Sequence, residues 1–252
     1  MKQSIWNRTW LRLCLPVAVW LPVWQLAAMW VGQELLLPAP AAVAARLAEL
    51  AASLPFWQTA GASLLRVFGG LLAGLALGVL AAVLTLLPPL DLILSPALRI
   101  LRATPVASFI ILVLLWLPKG QVPGFISALM VLPVVWETVS RGLREVDPKL
   151  LQMAQAYGFS RAKALRLIWL PSVLPYFAGG AVNGLGLAWK SGVAAEVLCQ
   201  PRLAIGYQVV RARNTLDTPS LFAWTLTVIL LSLALESLLS AALRRLKGGR
   251  TP

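Results

Sequence analysis

Apolar residues run along this chain in long blocks, separated by short polar joints that are often marked by proline. A block of roughly 20 apolar residues is long enough to cross a bilayer as a helix. Six blocks read as spans, at residues 13–31, 62–87, 106–117, 122–139, 173–198 and 221–243. The third is short and ends at Pro118-Lys119-Gly120. The first is preceded by basic residues, as a signal peptide is, but no small-x-small cleavage pattern follows it, so it reads as an uncleaved span. Residues 41–53 carry Arg46 and Glu49 among alanines and leucines, too short and too charged to span. They predict an amphipathic helix lying at the interface. Pro88, Pro89, Pro96 and Pro105 predict a broken connection before the third block, and residues 199–220 a polar loop. The pattern therefore predicts an all-α integral membrane protein of about six transmembrane helices. One transmembrane domain, 13–243, stands between a short N-terminus, 1–12, and a basic tail, 244–252.

Two spans are rich in glycine. Gly69, Gly70, Gly74 and Gly78 fall in the second; Gly179, Gly180, Gly184, Gly186 and Gly192 in the fifth. Small residues four apart let helices approach closely where lipid supplies no hydrophobic drive between them.

The longest polar stretch, 140–172, has internal order. Asp147 before Pro148 predicts an N-cap with proline at the first helical position. Leu150, Leu151, Ala154 and Tyr157 share a stripe, and Gly158 is placed to end the helix. Ser160 can cap a second helix, 161–169, which Pro171 interrupts. The stripe has no evident core of its own, so it calls for a partner: lipid headgroups, other spans or a docked protein.

Composition and charge sharpen this picture. The 252 residues are 59% hydrophobic and 12% charged, against about 45–50% and 25% for soluble domains. The net charge of +13 would suggest nucleic acid in a soluble chain. Here it sorts by side. With both termini inside, fifteen Lys and Arg fall in inner segments and five in outer ones; Arg66 and Lys190 in spans complete the 22. That asymmetry fits the positive-inside rule and argues against a nucleic-acid partner. The chain has no His, and Cys14 and Cys199 stand far apart, so no metal site or disulfide framework is expected. Several of the eleven Trp, including Trp57, Trp116, Trp136 and Trp169, fall near span ends, where they anchor to the interface.

Charges within spans usually face a cavity or a partner. Arg66, Glu137 and Glu236 lie near predicted ends, where snorkelling accounts for them. Lys190 and Glu196 sit deeper, beside Trp189 and Gly192, where the helix could break. Two readings stand: the three residues Trp189, Lys190 and Glu196 line a translocation path, or Lys190 and Glu196 form an ion pair that fixes the spans. A lysine on the path would suit an anionic solute.

Residues 144–175 resemble the cytoplasmic EAA loop of binding-protein-dependent ABC importer permeases, whose pattern is roughly E-A-A-x3-G-x9-I-x-L-P. Gln152-Met153-Ala154 takes the E-A-A place, followed by Gly158, Ile168, Leu170 and Pro171 at matching spacings. The run VDPKLLQMAQAYGFS resembles the nitrate, sulfonate and taurine branch, as do LLLPAP, SLLRVFGGLLAGLALG and GLAWKSGVAAEVL; the likeness runs from about residue 35 to 246. Gln152 and Met153 depart from the usual Glu and Ala, so any ion pair made by that Glu is absent.

The resemblance implies a type I importer-like permease whose loop is a coupling helix seated in a groove of an ATPase subunit. Asp147, Pro148, Leu151, Gln152, Met153, Ala154, Tyr157, Gly158 and Pro171 are its expected coupling residues. It further implies two membrane subunits, here a pair of identical copies, two ATPases that use ATP and Mg, and an external solute-binding protein at an inner membrane. The chain holds no G-x-x-x-x-G-K-[ST] phosphate loop, so ATP hydrolysis is expected in a separate subunit and no cofactor on this one. A secondary transporter or channel is the alternative, although six spans are few for one and no internal duplication is evident. A membrane enzyme is disfavoured, since no carboxylate pair lies close within a span.

Overall fold

The computed structural model describes residues 9–248, which are helical with no strand among them. Parts of the expected N-terminus (1–12) and basic tail (244–252) lie outside the described residues. The first helix, α1 (Thr9–Val31), covers the first predicted span. Residues 41–53, expected to form a helix at the interface, fall largely in α2 (Pro40–Ala51), with Pro40 in its first turn. Next comes α3 (Leu54–Leu84), which starts well before the predicted second span because Pro55 occupies its first turn, where no N–H is required, instead of breaking it.

The third predicted span is corrected. Helix α5 (Val106–Val113) is only eight residues long, about 12 Å at helical rise, and cannot cross a bilayer alone. The expected broken connection is itself a helix, α4 (Pro88–Ala103), joined to α5 through a bend of 103°. Pro88 and Pro89 fall in its first turn, and Pro96 sits inside it. The remaining long elements are α6 (Val122–Arg144), α9 (Leu170–Cys199) and α11 (Thr218–Gly248). Between them lie α7 (Pro148–Ala156), α8 (Arg161–Ala164) and α10 (Ile205–Asn214), the last inside the stretch expected to be a loop. Among the described residues four helices are long and apolar enough to cross a membrane: Leu54–Leu84, Val122–Arg144, Arg161–Cys199 and Thr218–Leu243. The bent α4–α5 pair makes a fifth if counted as one broken span.

At the centre α6 packs between α3 and α9, and glycine sets the distances. A Cβ on Gly70 would stand 2.1 Å from the carbonyl oxygen of Gly124 on α6. Cβ atoms on Gly74 and Gly78 would each stand 2.7 Å from the Cβ of Val131 or Val135. The expected close-packing stripe of α3 is therefore Gly70, Gly74 and Gly78; Gly69 faces open space. Gly192 does not break α9. It lets the helix close on Val67 and Ser127, where a Cβ would meet side-chain atoms at 2.5 and 2.6 Å. Trp136 is buried and donates to Thr85 Oγ1 at 3.2 Å, so it is a core residue and not an interfacial anchor, whereas Trp57 and Trp116 are well exposed.

Candidate functional site: a capped lever and two charged ends

The loop after α6 folds as two capped pieces. Asp147 Oδ1 accepts the N–H of Lys149 at 2.8 Å, and Pro148 opens α7, as its sequence predicts. At the other end Gly158 adopts φ +64°, a left-handed conformation that costs glycine little. The N–H of Phe159 then donates to the carbonyl of Ala154 at 2.9 Å, and that of Gly158 to Gln155 at 3.1 Å. This paired closure, with Phe159 packed back toward Ala154, stops the helix rigidly.

The apolar stripe divides in two. Ala154 is buried with Val146 and Ile168, and Leu151 packs on the same small core with Phe159, Trp169 and Val173. The expectation that this helix lacks a core of its own is thus corrected. Leu150, Met153 and Tyr157 remain outside, with Tyr157 76% exposed, and Gln152 is exposed beside them. Three apolar side chains thus stand exposed on one capped surface helix.

The second piece is not interrupted at Pro171. Ser160 Oγ caps α8 by accepting from the N–H of Lys163 at 3.3 Å, and a π-helical turn, Leu165–Trp169, leads without a break into α9. Pro171 sits in the first turn of α9, and the wider turn before it absorbs the missing N–H. Helix Arg161–Cys199 therefore runs for 39 residues from the loop through the whole bundle.

Near the far end of α9, Glu196 is fully buried. It does not pair with Lys190. Its Oε1 accepts from Arg66 Nη1 at 3.2 Å, and Oε2 accepts from Ser63 Oγ at 2.8 Å and from the N–H of Gly206 at 3.2 Å. Ser63 Oγ in turn accepts the N–H of Ile205 at 2.9 Å. Two side chains from α3 and α9 thus satisfy the first free N–H groups of α10, and the carboxylate meets the positive end of that helix. Arg66 does not snorkel as expected; it also donates to the carbonyls of Arg202 and Leu203, both at 2.9 Å. Trp189 is buried and donates to the carbonyl of Val228 at 3.0 Å, which makes it a packing residue between α9 and α11. Of the three residues expected on a path, only Lys190 is exposed, and it forms no ion pair among the described residues. It shares a helical stripe with Gly179, Asn183 and Gly186.

Charge gathers at both ends of the bundle. Beside the loop, Glu137 pairs with Arg102 of α4 and lies 3.9 Å from Arg141, while Arg144 reaches Asp91 at 3.7 Å. At the opposite end Arg46 donates to Ser220 Oγ at 2.7 Å and pairs with Glu49 at 2.8 Å and Asp217 at 3.7 Å. Burial raises the Asp217 carboxyl, but the side chain and N–H of Ser220 and nearby Arg46 outweigh it and hold the group below the usual range. Arg99, Arg102, Arg141 and Arg144 thus share one end, and Arg46, Arg66 and Arg202 the other.

The family described as binding-protein-dependent transport system inner membrane component matches this chain over residues 74–248. The chain belongs to that family. This permease is 31% identical to the riboflavin transport system permease protein of Chloroflexus aurantiacus, over 97% of this chain and 92% of that one. It is 29% identical to the taurine transport system permease protein of Escherichia coli, over 93% and 86%. A putative aliphatic sulfonates transport permease of Bacillus subtilis is 29% identical over 85% and 78%. Its fold is like those of two solved chains. A bacterial ABC transporter for alginate import superposes with TM-score 0.64 at 16% identity, covering 93% of this chain and 94% of that one. An amino acid ABC transporter does so with TM-score 0.57 at 20% identity, covering 73% and 90%. The permease is accordingly a multi-pass inner-membrane component of a binding-protein-dependent importer.

Proposed function

We propose that α7 and the α8–α9 helix of this permease form the lever on which an ATPase subunit acts. The carrying observation is a helix capped at both ends that keeps Leu151 and Ala154 on its own small core and turns Leu150, Met153 and Tyr157 outward. Asp147, Pro148 and Gly158 fix the ends of that helix, Gln152 and Met153 lie on its exposed side, and Pro171 marks the junction with α9. Two ATPase subunits bind ATP and Mg, one on each of two copies of this chain. An external binding protein delivers solute to the end that carries α2 and α10, and both termini face the cytoplasm. The test is Tyr157→Asp in the permease–ATPase complex. A buried charge at a docking centre is expected to lower ATPase co-purification and solute uptake by about tenfold or more, with normal permease levels in the membrane. Ala154→Asp, which breaks the loop's own core, is expected to lower the permease level itself. Full uptake with Tyr157→Asp would sink the lever.

The solute is a small anion. Taurine and aliphatic sulfonates, named for two relatives, carry a sulfonate group, and the exposed Lys190 supplies a positive charge at span depth without a carboxylate partner among the described residues. Lys190 and Asn183 then line the path where two copies meet. Lys190→Gln is expected to lower uptake of the anion about tenfold while ATPase docking stays intact, since one desolvated charge contact is worth about 1.5–3 kcal/mol. Uptake at the native rate would exclude Lys190 from the path.

A further inference from the structure

A cavity of about 600 Å³ opens between α4 and the last turns of α6, at the end of the bundle that carries the lever. Its wall holds four arginines, Arg99, Arg102, Arg141 and Arg144, against two carboxylates, Glu137 and Glu145. Those carboxylates are already engaged: Glu137 with Arg102 and Arg141, and Glu145 with the hydroxyl of Tyr176. Arg144 pairs with Asp91 at 3.7 Å, and Arg99 is exposed with no ion pair among the described residues. With Asp91 beside Arg144, four arginines face three carboxylates, and the one uncompensated positive charge falls on Arg99. Lever docking through Leu150, Met153 and Tyr157 does not use it.

A second observation lies in the same wall. Ser140 is 7% exposed, and its Oγ has no hydrogen-bond partner. The other hydroxyls of α6 turn back to a carbonyl one turn earlier, as Ser127 does to Pro123 at 2.8 Å and Thr138 to Val134 at 3.1 Å. A buried hydroxyl left unpaired is costly, so a group entering this cavity, or a water it orders, completes it.

We propose that this cavity binds a phosphate group through Arg99, its neighbouring arginines and Ser140. Guanidinium forks match tetrahedral oxyanions and hold them by paired, charge-assisted hydrogen bonds. An anionic phospholipid headgroup and free inorganic phosphate present the same chemistry. The surroundings favour the lipid. Leu92, Ile93 and Ile100 on α4 are 78%, 69% and 67% exposed, which offers an apolar surface for acyl chains beside the arginines. Basic pockets between helices at the cytoplasmic side of a membrane attract anionic headgroups in this manner.

The test uses the permease with its ATPase partner in nanodiscs of phosphatidylcholine, with or without phosphatidylglycerol. Native mass spectrometry reads how much phosphatidylglycerol the complex retains, which is independent of transport. Wild type is expected to retain it, and Arg99→Gln to lower retention about tenfold, the effect of losing one charge-assisted contact. Arg99 holds no carboxylate, so this substitution orphans no charge; Ser140→Ala removes only an unpaired hydroxyl and is expected to lower retention in the same direction. Arg211→Gln, at the opposite end, is expected to change nothing. In pure phosphatidylcholine, inorganic phosphate at constant ionic strength supplies the other arm. A rise in melting temperature that is lost in Arg99→Gln, without any preference for phosphatidylglycerol, identifies free phosphate as the occupant. The proposal is overturned if neither arm responds to Arg99→Gln and Ser140→Ala. It is equally overturned if Arg99→Gln releases the ATPase in neutral lipid, because the arginines would then read a protein surface.

Discussion

At the scale of single residues, Glu196 shows how a fully buried carboxylate is tolerated near a span end. It gains a guanidinium, a hydroxyl and a backbone N–H at once, and it closes the start of α10 in return. Removing one partner of such a pair costs more than the pair itself contributes, because the other charge stays buried. Arg66→Ala is therefore expected to destabilise the bundle by about 3 kcal/mol or more and to free residues 200–204. Glu196→Gln is expected to cost about 1–2 kcal/mol, since the amide oxygen can still accept from Ser63 and Gly206, and Arg66, which loses its contact, keeps two carbonyl acceptors. Melting temperatures of the detergent-purified permease rank the two, and the reverse order would refute this account. None of this pairing was legible in the sequence. Arg66 and Glu196 are 130 positions apart, whereas Lys190 lies six residues from Glu196 on the same helix and is the nearer candidate in sequence.

At the scale of elements, what could be read depended on whether the signal was local. The caps of α7, the glycine that ends it and the existence of α2 were legible because a few adjacent residues determine each. Helix α4 was not: its four surrounding prolines read as breaks, yet two fill a first turn that needs no N–H. Helix α10 is polar and basic, and only its contacts with Ser63 and Glu196 distinguish it from a loop. The α3–α6 seam lies between these cases. Glycines four apart announced a close contact, but not which of the adjacent pair Gly69-Gly70 makes it. Gly70→Ala is expected to destabilise by about 1–3 kcal/mol, because the new methyl meets a backbone carbonyl that cannot rotate away. Gly69→Ala meets open space and is expected to be near neutral or slightly stabilising through helix propensity. Equal losses of melting temperature for both would mean that the seam is not the contact described.

At the scale of the whole molecule, the two charged ends make a statement about direction. The end with α7 gathers Arg99, Arg102, Arg141, Arg144, Lys149, Arg161 and Lys163, and translocation leaves such clusters on the cytoplasmic side. At the opposite end Arg46 and Arg66 are held in ion pairs and carbonyl contacts. Single cysteines introduced into a chain with Cys14 and Cys199 replaced by serine test the assignment. Arg213→Cys, exposed in the last turn of α10, is expected to react with a membrane-impermeant maleimide added to intact spheroplasts. Gln155→Cys, exposed on α7, is expected to react only after the membrane is opened. Labelling of Gln155→Cys from outside would place the lever away from any cytoplasmic ATPase. The 39-residue helix would then have no motor at its end, however well its fold matched an importer.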